Sequence, residues 1–262
     1  MSPLELLALA IAGFGAGMIN TIVGSGTLIT FPILLFFGYA PVAANISSSL
    51  GLVAGGFSGA WGYRHELTGL KPLLMRLMPA SLLGAVVGAL LLLVLPESAF
   101  ATIVPLLIAL ALVLVVGGPR LNKWAAGKTS KQTEIATGLP SMTLAGTAGL
   151  LISIFATGVY GGYFGAAQGV LLVGIMSVLL PLSLQQITGV KNMLTLTVGL
   201  VAAVVFLLVQ PGQIIWSVVG ILAVGSLAGG YVGAKVGRRM PPWLLRGVIV
   251  AIGLTAMVVL LR

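Results

Sequence analysis

The chain has 262 residues, of which 59% are apolar and 6% charged, and its 13 Lys and Arg outnumber its 4 Asp and Glu to give a net charge of +9. A soluble domain carries roughly 25% charged residues, and so few charges would not keep a folded surface of this size in solution, so the composition is that of an integral membrane protein. The absence of cysteine excludes disulfides, thiolate metal sites and thiol catalysis, and the basic excess fits cytoplasmic loops better than a nucleic-acid surface.

At about 20 residues per crossing the length holds roughly eight to ten helical segments. The first, residues 3–22, opens with MSPLELLALA. It lacks a basic n-region and carries Glu5, so we expect the first membrane segment of the mature protein rather than a cleaved signal. A Gly and polar break at 23–26 interrupts it, and a short apolar arm follows over 27–38. Pro41 sits in the next turn, and a helix is expected over 45–63. It ends in the wet sequence Tyr63-Arg64-His65-Glu66, which continues through Lys71 and Arg76; His65 reads as solvated there. Residues 72–95 form a span in which Gly84 and Gly88 permit close backbone approach. Pro96-Glu97-Ser98 is a tight turn before a span at 99–117. Residues 117–138 are the one long polar stretch, with Arg120, Lys123, Lys128, Lys131 and Glu134.

The pattern then repeats. A second broken helix is expected over 142–164, its arm over 170–180, and spans over 188–209, 213–234 and 243–261. Gly225, Gly229 and Gly233 mark one packing face of the 213–234 span. Trp61, Tyr63, Trp124, Trp216 and Trp243 fit interfacial anchoring. Three units follow: membrane repeat 1 at 1–118, a basic linker at 119–140, and membrane repeat 2 at 141–262, together one transporter domain.

The basic stretches 64–76, 117–138 and 235–246 should all be cytoplasmic. That holds if each broken segment dips in and returns as a hairpin, leaving three crossings per half. An odd number of crossings inverts the second half. The expected fold is therefore an all-α integral membrane protein of two inverted repeats. Each repeat is a re-entrant helical hairpin plus three transmembrane helices, and both termini lie outside. Full crossing by the first arms is the competing topology.

Sliding the chain by 143 sets Gly26 on Gly169, Asn45 on Thr188 and Ser49 on Asn192. Interrupted hydrophobic segments at matching places in two halves point to a transporter's binding site. Such breaks persist only inside protein or around a wet cavity, because lipid cannot satisfy their backbone groups. The candidate substrate-binding residues are Asn20, Thr21, Gly24, Ser25, Gly26 and Thr27 at the first break, with Asn45, Ser48 and Ser49 on the following helix. From the second half come Tyr163, Gln168, Gly169, Thr188, Lys191 and Asn192. Helix starts at Asn45 and Thr188 would aim positive dipole ends at the same place, and such starts with hydroxyls form an anion site. No Asp exists, and the four Glu fall at span ends or loops, whereas an intramembrane cation site normally shows a carboxylate. Lys191 is the one basic residue near the site; snorkelling to an interface is its alternative role. Gly24-Ser25-Gly26-Thr27 is not a nucleotide loop, since no Lys follows the glycine.

At these residues the chain resembles the TauE/SafE family of membrane permeases, often described as sulfite exporters. The resemblance is carried by GFGAGMINTIVGSGTLITFPILLFFGYAPVAANISSSLG and by GYFGAAQGVLLVGIMSVLLPLSLQQITGVKN, and it extends over both repeats. The family typically shows a glycine-rich helix, a glycine break, an apolar arm often ending in proline and an Ala-x-x-Thr/Asn-Ser-like helix start. Here the second break reads Ala167-Gln168-Gly169 where glycines are usual, and Ile175 replaces the proline that repeat one has as Pro32. The resemblance implies secondary export, without ATP, of a small sulfur-containing anion such as sulfite or an organosulfonate. The expected mechanism is alternating access with the anion between the two hairpin tips at the midplane. A passive anion channel and a transporter of an unrelated anionic metabolite are the alternatives. A membrane enzyme is disfavoured by one His, no Cys, no Asp and no intramembrane carboxylate pair. No cofactor, metal or nucleic acid is expected; the partners are the anion, the bilayer of the cell membrane and, if the glycine faces serve it, a second copy in a homodimer.

Overall fold

The computed structural model describes residues 1–96, 99, 102–103, 105–109, 113 and 144–237. The span expected over 99–117 is described only at scattered positions, and the linker 119–140 and last span 243–261 lie outside the described residues. The described chain is all-helical, with no strand. In order come α1 (Pro3–Ile22), α2 (Thr27–Phe36), α3 (Pro41–Gly62), α4 (Lys71–Val94), α5 (Leu144–Tyr163), α6 (Gln168–Leu179), α7 (Leu184–Val209) and α8 (Trp216–Val236). Among the described residues four helices, α1, α4, α7 and α8, are long and apolar enough to cross a membrane. Their outward faces carry large apolar side chains such as Ile11, Leu83, Leu208 and Val224, as lipid contact requires, and Trp61 and Trp216 are exposed. The interior holds polar groups instead, among them Ser25, Asn45, Ser48, Lys191 and Ser226.

Two helix starts differ from expectation. α3 begins at Pro41 and α7 at Leu184, so Asn45 and Thr188 each lie one turn inside a helix rather than at its N-terminus. Pro41 occupies the first turn, where its missing N–H costs nothing and its fixed φ is already helical. Ser183 closes a capping box with Gln186, each side chain bonding the other's backbone N–H. Reading each helix from its polar residues, Asn45 and Thr188, passes over the turn that Pro41 and the Ser183 cap have already begun.

The internal match also needs a finer register. α1 and α5 run over 3–22 and 144–163, and α2 and α6 begin at 27 and 168, an offset of 141. α3 and α7 begin at 41 and 184, which restores 143. α6 has 12 residues against 10 in α2, and this absorbs the difference. Gly24 therefore corresponds to Gly165 and Gly26 to Ala167, in place of the expected match of Gly26 with Gly169.

Glycine decides which helices touch. A Cβ at Gly229 of α8 would fall 1.9 Å from Phe14 O of α1, and one at Gly233 would fall 2.8 Å from Met18 O. A Cβ at Gly84 of α4 would fall 2.3 Å from Phe155 O of α5, and one at Gly88 would fall 2.0 Å from Val159 O. Residue numbers rise together across both contacts, so α1 runs parallel to α8 and α4 parallel to α5. The four-residue glycine spacings seen in the sequence are these two ridges. α3 also runs parallel to α8, with Gly51 on Leu222, Gly55 on Ser226 and Gly62 on Ala234. By contrast α3 and α7 cross antiparallel, Gly56 on Leu196 and Gly199 on Val53. Exchanging the halves maps each of the ridge contacts onto the other, and the α3–α7 contact onto itself.

Candidate functional site

The two breaks meet. Gly169 N donates to Gly24 O at 3.1 Å, and a Cβ on Gly24 would fall 2.4 Å from Gly169 Cα. Each long helix ends in the same way. Gly24 N returns to Ile19 O and Gly165 N to Tyr160 O, both at 3.1 Å, and both glycines hold left-handed φ, 84° and 77°. Ala167 adds a second left-handed residue, φ 59°, a conformation glycine adopts without a Cβ clash. Beyond the breaks α2 and α6 begin without any side-chain cap, and backbone carbonyls take their first N–H groups instead: Leu28 N donates to Ser25 O, Gln168 N to Gly165 O and Gly169 N to Gly24 O.

A cleft opens beside this junction, against the middle of α3 and α7. It holds about 560 Å³ of space unfilled by protein atoms, its open mouth included. Most of its wall residues come in corresponding pairs: Asn20 with Gly161, Gly24 with Gly165, Thr27 with Gln168, Leu52 with Thr195, Val53 with Leu196, and Gly56 with Gly199. Among the described residues no charged side chain lines it. Gln168 is 4% exposed, and its Nε2 has no hydrogen-bond partner among the described residues.

Of the residues singled out in the sequence, Asn20, Gly24, Thr27, Ser49 and Gln168 line the cleft. The others do not line it. Ser25 is fully buried, with Oγ unpartnered among the described residues, as is Asn192 Nδ2. Gly26 packs on Ala16 O, and Gly169 on Gly24. Ser48 Oγ shares a hydrogen bond with Thr30 Oγ1. Thr21 is buried against Gly59, and Thr188 Oγ1 donates to Leu184 O of its own helix at 2.7 Å. Asn45 Nδ2 donates to Tyr163 O, the end of α5, at 3.0 Å. Lys191, with no exposed surface, passes beside Gly169 and donates from Nζ to Asn20 O at 3.0 Å and Thr21 O at 2.9 Å, the end of α1. Each half thus supplies a side chain that satisfies the last carbonyls of the other half's broken helix. Thr195, Gly56 and Gly199 were not singled out in the sequence. Their signal was the repeat itself, since Gly56 and Gly199 stand 143 apart in the sequence.

At the far end of α1, Tyr39 donates its hydroxyl to the Glu5 carboxylate, so the chain after α2 has returned to the end where α1 began. Burial, reinforced by that carboxylate, pushes the Tyr39 phenol up to about 12.

The chain is similar along nearly its whole length to a known family of membrane proteins. The family model described as sulfite exporter TauE/SafE matches residues 9–260. A probable membrane transporter protein of Haemophilus influenzae is 28% identical over 249 residues, covering 94% of this chain and 91% of its own. The probable membrane transporter protein YfcA of Escherichia coli K12 is 26% identical over 253 residues, 96% of this chain and 88% of its own. A third, ORF9 of Sinorhizobium sp., is 29% identical over 261 residues, 98% and 93%. No solved structure matches the chain.

Proposed function

The chain belongs to the sulfite exporter TauE/SafE family, whose relatives are named as probable membrane transporters, and from that premise we propose that it is a secondary exporter of a small sulfur-containing oxyanion, sulfite or an organosulfonate. The observation that carries this reading is the cleft at the junction of the breaks. It is walled by both halves, shows no charged side chain among the described residues, and is supplied with the Thr27 hydroxyl and with Gln168 Nε2, which has no hydrogen-bond partner among the described residues. Hydroxyl and carboxamide N–H groups both donate hydrogen bonds to an oxyanion. Neutral donors hold an oxyanion without the tight ion pair that would slow its release.

The transport cycle in this reading is alternating access by two inverted halves, each a hairpin with three crossings. Support for inversion comes from the packing directions. α1 and α3 run parallel to α8, whereas α4 runs parallel to α5 and α7 antiparallel to α3. In half one the long helices then run one way, one way and back; in half two each direction is reversed. Support for the hairpins comes from the Tyr39–Glu5 contact. Gly62 on Ala234 puts Arg64 and Lys235 at one end of the bundle, which is then the cytoplasmic end of a cell-membrane protein. The halves rock about the α3–α7 crossing, where Gly56 and Gly199 leave the backbones close.

Purified protein in proteoliposomes loaded with unlabelled isethionate should take up labelled isethionate faster than empty vesicles do. Saturable uptake with this trans-stimulation supports a carrier. Flux without it means a channel, and no flux of sulfite or any sulfonate removes the assignment.

A further inference from the structure

We infer that Lys191 sets the charge of the cleft from behind its wall, and that the transported species is a monoanion. This inference rests on the anion-transport reading above and narrows its substrate class.

The argument follows the helix ends. Four of them converge on the cleft: α1 and α5 end there, α2 and α6 begin there. An end and a start carry opposite partial charges of about half a unit, so within each half they largely offset one another. What differs is the group bound to the helix end. At α5 the Tyr163 carbonyl receives the neutral carboxamide of Asn45. At α1 the Asn20 and Thr21 carbonyls receive the Lys191 ammonium. With Lys191 protonated, one unit of positive charge is left over, and it lies on the half-one side.

That charge has no counter-ion in the described protein. The described partners of Lys191 are the two carbonyls, and no carboxylate of the described residues reaches it. Glu5 lies at the other end of α1 with Tyr39. Burying an uncompensated charge costs several kcal/mol. The side chain does not line the cleft, but Gly169, which packs on its Cδ, also packs on Gly24 of the cleft wall, and its acceptor Asn20 is itself a wall residue. A monoanion in the cleft supplies the missing counter-charge. A dianion brings one negative charge too many into a site of low dielectric, and a neutral molecule leaves the ammonium unmatched. Lys191 is accordingly a positioning residue that acts through the field, and the donors offered to the oxyanion are Gln168 Nε2 and the Thr27 hydroxyl.

The test compares binding of three probes to purified full-length protein in detergent, by calorimetry at one pH and ionic strength: methanesulfonate, its neutral isostere methanesulfonamide, and sulfate. The wild type should bind methanesulfonate at least tenfold more tightly than either of the others. Lys191→Gln keeps a donor for the α1 carbonyls and removes the charge. It should weaken methanesulfonate at least tenfold and change methanesulfonamide less than threefold. Lys191→Arg should recover most of the methanesulfonate affinity. Both probes losing affinity equally in Lys191→Gln would mean a merely structural role, and unchanged methanesulfonate affinity, or a wild type that prefers sulfate, would also overturn the inference while leaving the transporter reading intact. A wild type that binds no anion overturns both.

Discussion

At the break after α1, Gly24 turns the chain and Asn20 and Thr27 face the cleft. At the break after α5, Gly165 and Ala167 turn it, and Gly161 and Gln168 stand in those same places. The backbone is nearly the same twice; the side chains are not. A repeated backbone gives two halves that meet face to face at glycine contacts, which side chains at those positions would prevent. The differences then give the cleft an orientation: its small hydroxyl and amide lie on one side, its long carboxamide and the Thr195 hydroxyl on the other. Two-fold geometry thus builds the site, and departures from it decide how a ligand sits.

The largest expected effect tests the shared backbone. Gly24→Ala adds a Cβ 2.4 Å from Gly169 Cα and places it at φ 84°. Overpacking costs about 1–3 kcal/mol and the left-handed conformation about 1–2 more, so thermal unfolding in detergent should show a severe loss and flux should vanish. Gly38→Ala has the same φ with nothing within 4 Å of the new atom, and should cost only the conformational part. Equal losses at the two positions would show that the junction is not packed as described.

Next come the ridges. Gly88→Ala and Gly229→Ala should each cost about 1–3 kcal/mol, because each new Cβ meets a carbonyl of the parallel helix. If the halves are equivalent in packing, the two losses match; a neutral result at one of them breaks the two-fold comparison.

Gln168→Leu sharpens the side-chain difference. The carboxamide Nε2 gives up no described bond, so stability should hold. Binding of methanesulfonate should weaken by about 1.5–3 kcal/mol, the worth of a hydrogen bond to a charged group. Thr27→Val, at the corresponding place, should weaken binding less, and calorimetry on the two variants measures the asymmetry directly.

The smallest effect lies far from the cleft, in a contact that has no counterpart among the described residues of half two. Tyr39→Phe removes the hydroxyl bound to Glu5 and should cost about 1 kcal/mol. The raised phenol of Tyr39, about 12, means that the native state holds this proton more tightly than the unfolded chain. Its contribution is therefore complete below pH 10 and falls as pH rises from 10 toward 12. The wild type should lose stability over that window relative to Tyr39→Phe, and paired melting curves at pH 9 and 11 measure it.

Much of the architecture was legible in the residues themselves. Composition determined a membrane protein. The glycine spacings at 84–88 and 225–233 determined two close helix contacts, and the paired breaks determined where the chain departs from helix, because only glycine-rich backbone turns there at low cost. Five of the candidate residues line the cleft. Reading α3 and α7 from the polar residues Asn45 and Thr188 placed their starts four residues late, since Pro41 and the Ser183 cap begin each helix a turn earlier. The partners of the buried polar groups could not be read at all. A lysine in an apolar sequence suits an interface, a pore or a ligand equally well; only the approach of α7 to the end of α1, between residues 170 positions apart, decided that Lys191 meets two carbonyls. Sequence determines which local conformations are cheap. Tertiary structure decides which distant backbone group a buried charge finds, because that choice depends on how whole helices cross.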